Sequence, residues 1–150
     1  LITKSGFIYF NEHSFLGSQD VAGDLKVLET EGITHIVNCA TGVPNYYPKK
    51  FKYLHLEVLD LPWTDIIPSF REVHNFMQDC VDEGGKVFVH CNAGISRAAT
   101  FVISYMMAHH NMSLELAMAT VKSARPKVRP NMGFMKQLKF FEESLLNGTY

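Results

Sequence analysis

The feature that most constrains this chain is a compact apolar strand that runs through a polar loop into an apolar helix. Lys86-Val87-Phe88-Val89-His90 reads as the strand, Cys91-Asn92-Ala93-Gly94-Ile95-Ser96-Arg97 follows it, and Ala98 to Met107 is largely apolar. Upstream, Gly6-Phe7-Ile8-Tyr9-Phe10 and Ser14-Phe15-Leu16 read as short strands separated by Asn11-Glu12-His13. Asp20 looks like the cap of a helix carrying the stripe Val21, Leu25 and Leu28, ending near Gly32. His35-Ile36-Val37-Asn38-Cys39 and Tyr53-Leu54-His55-Leu56-Glu57-Val58 read as further strands, and Asp60 to Asp65 as a loop. Phe70, Val73, Met77 and Val81 mark an amphipathic helix closed by Gly84-Gly85. Leu114 to Val121 and Phe134 to Leu145 give two more helical stripes. This order predicts an α/β fold: a central mixed, mostly parallel β-sheet flanked by α-helices, with residues 1–150 forming a single domain.

Composition narrows the function. The 150 residues are 47% hydrophobic and 12% aromatic, enough to build a core and incompatible with disorder. Fourteen basic against fifteen acidic residues leave a net charge of -1, too little positive charge for binding nucleic acid through its backbone. Any anion recognition must therefore be local. No apolar run approaches the roughly 20 residues of a membrane span, so no membrane partner is expected. Cys39, Cys80 and Cys91 have neither metal-ligand nor disulfide-framework spacing, which favours a reducing compartment. The cytoplasm is the expected location, with nuclear entry left open. The sequons at Asn111 and Asn147 carry little weight in such a compartment, and the initial Leu1 reads as belonging to a fragment.

Five residues separate Cys91 from Arg97. A loop of that length between a buried strand and a helix can aim successive N–H groups at one centre, and the helix adds its positive N-terminal end. Gly94 permits backbone angles that other residues resist. Thiolate, the nucleophilic form of cysteine, is stabilised at a helix N-terminus and beside arginine, and a guanidinium can grip two phosphoryl oxygens. The residues Asn92, Ala93, Gly94, Ile95, Ser96 and Arg97 therefore read as a phosphate cradle over the Cys91 sulfur. His90 either holds the loop by a backbone hydrogen bond or tunes Cys91 through it.

His90-Cys91-x-x-Gly94-x-x-Arg97 resembles the signature of the cysteine-dependent protein tyrosine phosphatases, and Ala93-Gly94-x-Ser96-Arg97 is similar to its dual-specificity branch. The likeness runs from Phe7 to Leu146. It includes Leu16-Gly17-Ser18 and Arg129-Pro130-Asn131-x-Gly133-Phe134, and it points to the small atypical dual-specificity phosphatases. The resemblance implies hydrolysis of phosphotyrosine and phosphoserine/threonine through a phosphocysteine, without metal or cofactor. Its expected partners are phosphorylated proteins, with signalling kinases among the candidates. It also implies a general acid at Asp60, 31 residues before Cys91, with Asp65 the rival suited to capping or loop closure. Asn131 matches an asparagine that braces the phosphate loop, and a helix N-cap explains it nearly as well.

Cys39 ends a parallel strand. It is either core or a redox partner that traps Cys91 as a disulfide, as in some related phosphatases. Arg125, Lys127 and Arg129 read as a solvated face or as a rim site for a second phosphate. The family usually has Ser or Thr after the arginine; here Ala98 stands there, which predicts a slow second step. The alternatives are a phosphoprotein-binding scaffold with weak turnover, and a phosphatase of phosphoinositides or RNA 5'-phosphates. The loop lacks the extra lysines an inositol phosphate would call for, and no basic stripe supports RNA.

Overall fold

In the computed structural model, residues 8–150 are described. Five strands, β1 (Ile8–Asn11), β2 (Ser14–Gly17), β3 (His35–Asn38), β4 (Lys52–His55) and β5 (Val87–His90), form one sheet in the order β1-β2-β5-β3-β4. β1 is antiparallel to β2; β2, β5, β3 and β4 are mutually parallel. The central strands β5 and β3 are buried along their whole length. Strands covered on both faces need such short, continuous apolar runs. The expected mixed, mostly parallel sheet flanked by helices is the architecture found.

The helices are α1 (Gln19–Ala22), α2 (Leu25–Thr30), α3 (Phe70–Asp82), α4 (Arg97–His109), α5 (Leu114–Ala124) and α6 (Met132–Leu146). Phe15, Val21, Leu28, Ile36, Phe51 and Phe88 form the smaller core. The larger core lies among the sheet and helices α3 to α6. α4 runs through its middle, buried from Arg97 through Met107. A helix apolar all round survives only in such a place. Among the described residues, no helix is long and apolar enough to cross a membrane.

Several expected boundaries shift. Gly6 and Phe7, the start of the first expected strand, lie outside the described residues, and Asn11 belongs to β1. The single helix expected from Asp20 to Gly32 is two, because Gly23 breaks it and Asp24 starts the second by accepting from the Val27 N–H. Asp20 is not the cap; it lies in the first turn of α1, behind Ser18. On α3 the buried positions are Phe70, Val73, His74, Met77 and Cys80, with Val81 only half-buried. β4 stops at His55 rather than Val58, and Val58 leaves the ladder so that its carbonyl faces Arg97. β3 ends at Asn38, one residue before Cys39. The buried Asn38 amide donates to the Val43 carbonyl and to Asn45, and its Oδ1 accepts from the Ala40 N–H, which shapes the loop beyond the strand.

Candidate active site

The carboxyl ends of β3 and β5 carry the site, where an α/β sheet presents its loops. β5 delivers Cys91, 2% exposed, and residues 92–96 curl from it into the N-terminus of α4. Gly94 has φ +69°, and a Cβ there would sit 2.5 Å from the Gly17 carbonyl oxygen. Only glycine meets both demands at that position.

The loop is held by its carbonyls. The Cys91 carbonyl accepts from His90 Nδ1, the Asn92 carbonyl from the Gln19 N–H, and the Ala93 carbonyl from Arg125 Nη2 at 2.8 Å. The Gly94 carbonyl accepts from Arg125 Nε at 3.0 Å, that of Ile95 from the Arg129 N–H, and that of Ser96 from the Thr100 N–H and hydroxyl. In a trans peptide the C=O and N–H point opposite ways. Tying these carbonyls outward therefore aims the following N–H groups inward, and that of Gly94 meets Cys91 Sγ at 3.2 Å. No protein acceptor among the described residues takes the N–H groups of Asn92, Ala93, Ile95, Ser96 or Arg97.

Arg97 folds back over this ring and is only 9% exposed. Its Nη1 donates to Thr41 Oγ1 (2.9 Å) and the Val58 carbonyl (3.0 Å), and its Nη2 donates to Asn92 Oδ1 (2.7 Å). A guanidinium has five N–H donors, so Nε–H and one Nη2–H are left over. Nε is buried without a hydrogen-bond partner. A buried donor of that kind has a use for an oxyanion. Asn92, expected as part of the cradle, turns its side chain to scaffolding: its amide donates to Gln19 Oε1 and the Thr41 carbonyl, and its Oδ1 also accepts from the Thr41 N–H.

His90 is 1% exposed and stacks on Phe88. Burial pushes its proton affinity down to about 4, partly opposed by its bond to the Cys91 carbonyl and aided by His55. It is a neutral ring that positions the Cys91 backbone. The Cys39 thiol donates to the His90 carbonyl at 3.0 Å; burial, then the nearby Cys91, push it well above the ordinary thiol range. Asn38 pairs with His90 across parallel strands, so Cys39 stands beside Cys91. All three cysteines are unbridged. Cys80 lies in the core beside Thr34, its thiol pushed up to about 11 by burial.

Asp60 reaches the site through α6. Asn131 caps that helix by accepting from the Phe134 N–H, its own N–H donates to Ser96 Oγ, and its Nδ2 donates to Asp60 Oδ1 at 2.9 Å. The bracing and capping roles are thus the same residue's two ends. Gln137 clasps the rest of the loop that follows Asp60, accepting from the Ile66 and Ile67 N–H groups and donating to the Thr64 carbonyl. Asp65 is exposed, and among the described residues no hydrogen bond or ion pair joins it to the phosphate loop. Ala98 is fully buried in the first turn of α4. No group of three metal-ligating side chains forms among the described residues.

Three supporting residues carry no signal in the sequence: Gln19, Thr41 and Gln137. Arg125 reads in the sequence as a rim site or solvated face, whereas its guanidinium holds the Ala93 and Gly94 carbonyls of the loop. Nothing in a local sequence window ties Arg125 to carbonyls more than thirty residues away.

The comparisons agree with this geometry. A sequence model described as the dual specificity phosphatase catalytic domain matches residues 14–144. Mouse dual specificity protein phosphatase 19 is 43% identical over 127 residues, covering 85% of this chain and 58% of that protein. Mouse protein phosphatase Slingshot homolog 3 is 37% identical over 130 residues, covering 87% of this chain and 20% of that protein. The chain therefore spans only part of the length of these relatives. A crystal structure of a mouse putative dual specificity phosphatase complexed with zinc tungstate aligns with a TM-score of 0.92 and 32% identity, covering 99% of this chain and 93% of that one. With the matched region enclosing the Cys91–Arg97 loop, Asp60 and Asn131, this chain belongs to the dual specificity phosphatase catalytic-domain family.

Proposed function

We propose that the protein hydrolyses phosphotyrosine and phosphoserine/threonine in phosphoproteins through a phosphocysteine on Cys91. The observation that carries this reading is the outward tethering of every carbonyl from Cys91 to Ser96, which leaves a ring of inward N–H groups around one sulfur. Cys91 as thiolate attacks phosphorus while the bond to the leaving oxygen breaks, and Asp60 gives its proton to that oxygen. Water then attacks the phosphocysteine, passing a proton to the Asp60 carboxylate; phosphate leaves and the thiolate is restored. Arg97 Nε–H and the remaining Nη2–H are donors for equatorial oxygens, and the Gly94 and Ile95 amides stabilise the charge that builds there. Asn131 and Gln137 hold the acid loop, and His90 and Asn92 hold the cradle. Cys39 serves as the redox partner of Cys91. The expected partners are phosphorylated proteins, signalling kinases among them, in the cytoplasm.

The test is vanadate-sensitive hydrolysis of an aryl phosphate and of phosphopeptides. Cys91→Ser is expected to abolish both while still binding the phosphopeptide. Hydrolysis that survives Cys91→Ser, or wild type that cleaves phosphoinositide or RNA 5'-phosphate but no phosphopeptide, overturns the reading. Ala98 favours a second reading, a phosphoprotein-binding scaffold with weak turnover, because no hydroxyl at that position assists expulsion of the sulfur. Stoichiometric phosphopeptide binding without steady-state product marks that case.

A further inference from the structure

We infer that the groove between α5 and α6 docks an acidic stretch of the phosphoprotein substrate, a few residues from the phosphoresidue, with one apolar side chain lying on its methionine floor. The inference rests on the phosphoprotein reading above and adds a determinant of which phosphoproteins are chosen.

The groove is a concavity of about 360 Å³ with Met118 and Met135 half-buried at its base. Lys122, Arg129, Lys136 and Lys139 surround it, all exposed, and no carboxylate lines it. Among the described residues none of these four cations is in an ion pair, whereas Lys50 pairs with Glu29 and Lys52 with Glu83. In a chain of net charge -1, four unpaired cations about one cavity are a local excess that calls for an acidic partner. Glu142, which accepts from the Leu114 N–H, places the acidic part of α6 at the opposite end of the helix pair from the phosphate loop. Methionine suits an apolar anchor of variable shape, because its side chain is unbranched and polarizable.

Continuity with the catalytic centre fixes what fills the groove. Arg129 contributes its N–H to the Ile95 carbonyl while its side chain lines the groove, and Asn131 next to it binds Ser96. Met132, 76% exposed, stands at the mouth. Along α6, Lys136 and Lys139 lie roughly 6 and 10 Å beyond Met132 at 1.5 Å per residue. An extended peptide advances about 3.3 Å per residue. The run from Met132 to Lys139 therefore matches about three residues of extended peptide, and a substrate flank that leaves Cys91 past Ser96 and Asn131 enters the groove at Met132. A bilayer presents a flat charged surface and leaves such a concavity unfilled, so the peptide is the better fit.

The test uses two phosphopeptides with the same phosphoresidue and immediate neighbours. One carries a Glu-Leu-Glu flank three to six residues away, and the other carries Gln-Ser-Gln. An aryl phosphate and the unphosphorylated acidic peptide, read by fluorescence anisotropy, are the controls. Exposed ion pairs are worth up to roughly fivefold each. Wild type is therefore expected to favour the acidic flank about tenfold in kcat/KM, less at high salt. Lys136→Glu/Lys139→Glu should erase that preference and the binding of the unphosphorylated peptide, while leaving aryl phosphate hydrolysis intact. No flank preference in wild type, or a preference that survives the double variant, overturns the proposal. Binding to phosphatidylserine vesicles that the double variant loses, with no peptide preference, overturns it in favour of a membrane. If no substrate is hydrolysed, the phosphatase reading fails alone, and anisotropy still decides whether the groove takes the acidic peptide.

Discussion

Arg125 is where the phosphate loop is most open to a single change. Its Nη2 and Nε hold the Ala93 and Gly94 carbonyls at 2.8 and 3.0 Å, and those two peptide planes carry the N–H groups of Gly94 and Ile95. Replacing Arg125 with Met keeps the apolar stem and removes both bonds. Hydrogen bonds from a charged donor contribute about 1.5–3 kcal/mol each. The Ala93 bond is exposed, so water replaces much of it, while the Gly94 bond is partly buried. A total of about 2–4 kcal/mol remains, divided between fold stability and the ordering of the two planes. If half falls on ordering, oxyanion affinity and kcat/KM drop roughly 5- to 30-fold, less than the 100-fold or more typical of deleting an oxyanion donor outright. Arg125→Lys should fall between, since one ammonium cannot reproduce the planar fork that spans both carbonyls. The assay is vanadate inhibition and aryl phosphate kcat/KM, with urea denaturation to measure the stability share. Vanadate affinity within threefold of wild type in Arg125→Met refutes the claim that outward tethering aims the loop amides.

Acid should unfold the protein early, because two buried histidines are held neutral. Burial, with His109 and Arg71 adding to it, lowers His74 to about 3, and His90 falls to about 4. Their unfolded values are near 6.5, so the unfolded chain binds protons first as pH falls. Stability is thus full above about pH 6.5 and declines toward pH 4, each histidine costing about 2 kcal/mol at pH 5. His74→Phe should remove its share of the pH 7.5-to-5 loss in urea denaturation, and an unchanged loss contradicts the assignment. Ala98→Ser should raise steady-state turnover roughly tenfold, about the worth of one hydrogen bond to the departing sulfur, and abolish the burst in rapid-quench experiments; no burst in wild type sinks this idea. A Cβ at Gly133 would lie within bonding distance of the Pro62 carbonyl oxygen, so Gly133→Ala must push the acid loop off α6. Phosphoserine peptides should then slow at least tenfold more than activated aryl phosphates, and equal slowing argues against Asp60 as the acid. Peroxide should convert Cys91 to a sulfenic acid that condenses with the Cys39 thiol to a disulfide and water. Mass spectrometry finding a Cys80 bridge, or none, counts against that pairing.

The legible parts of the fold were those in which a local pattern and its tertiary setting make the same demand. β5 and α4 are apolar because they are covered on every side, and α3 shows a stripe because one face is covered. The helix expected from Asp20 to Gly32 failed for a local reason: an apolar stripe at helical spacing survives a break if the two pieces keep the same face inward, as Val21 and Leu28 do. Val58 reads as strand because it is apolar, yet its carbonyl accepts from the Arg97 guanidinium instead of a neighbouring strand. His74 offered no sign of its place between Tyr150 and Ser104, since its partners come from the middle of α4 and the last residue of the chain.

By itself the sequence determined which candidate reacting groups share one loop. A nucleophilic sulfur, a glycine and a guanidinium at fixed spacing between strand and helix allow few other uses, because the chain between Cys91 and Arg97 is too short to take them to different places. Tertiary structure alone decided what holds those atoms in working order. The carbonyl tethers from Gln19, Arg125 and Arg129, the Thr41 and Val58 contacts to Arg97, and the α6 clasp on the Asp60 loop join segments dozens of residues apart. Such contacts leave no periodic trace, because a hydrogen bond to a distant backbone constrains one residue at each end and nothing between them.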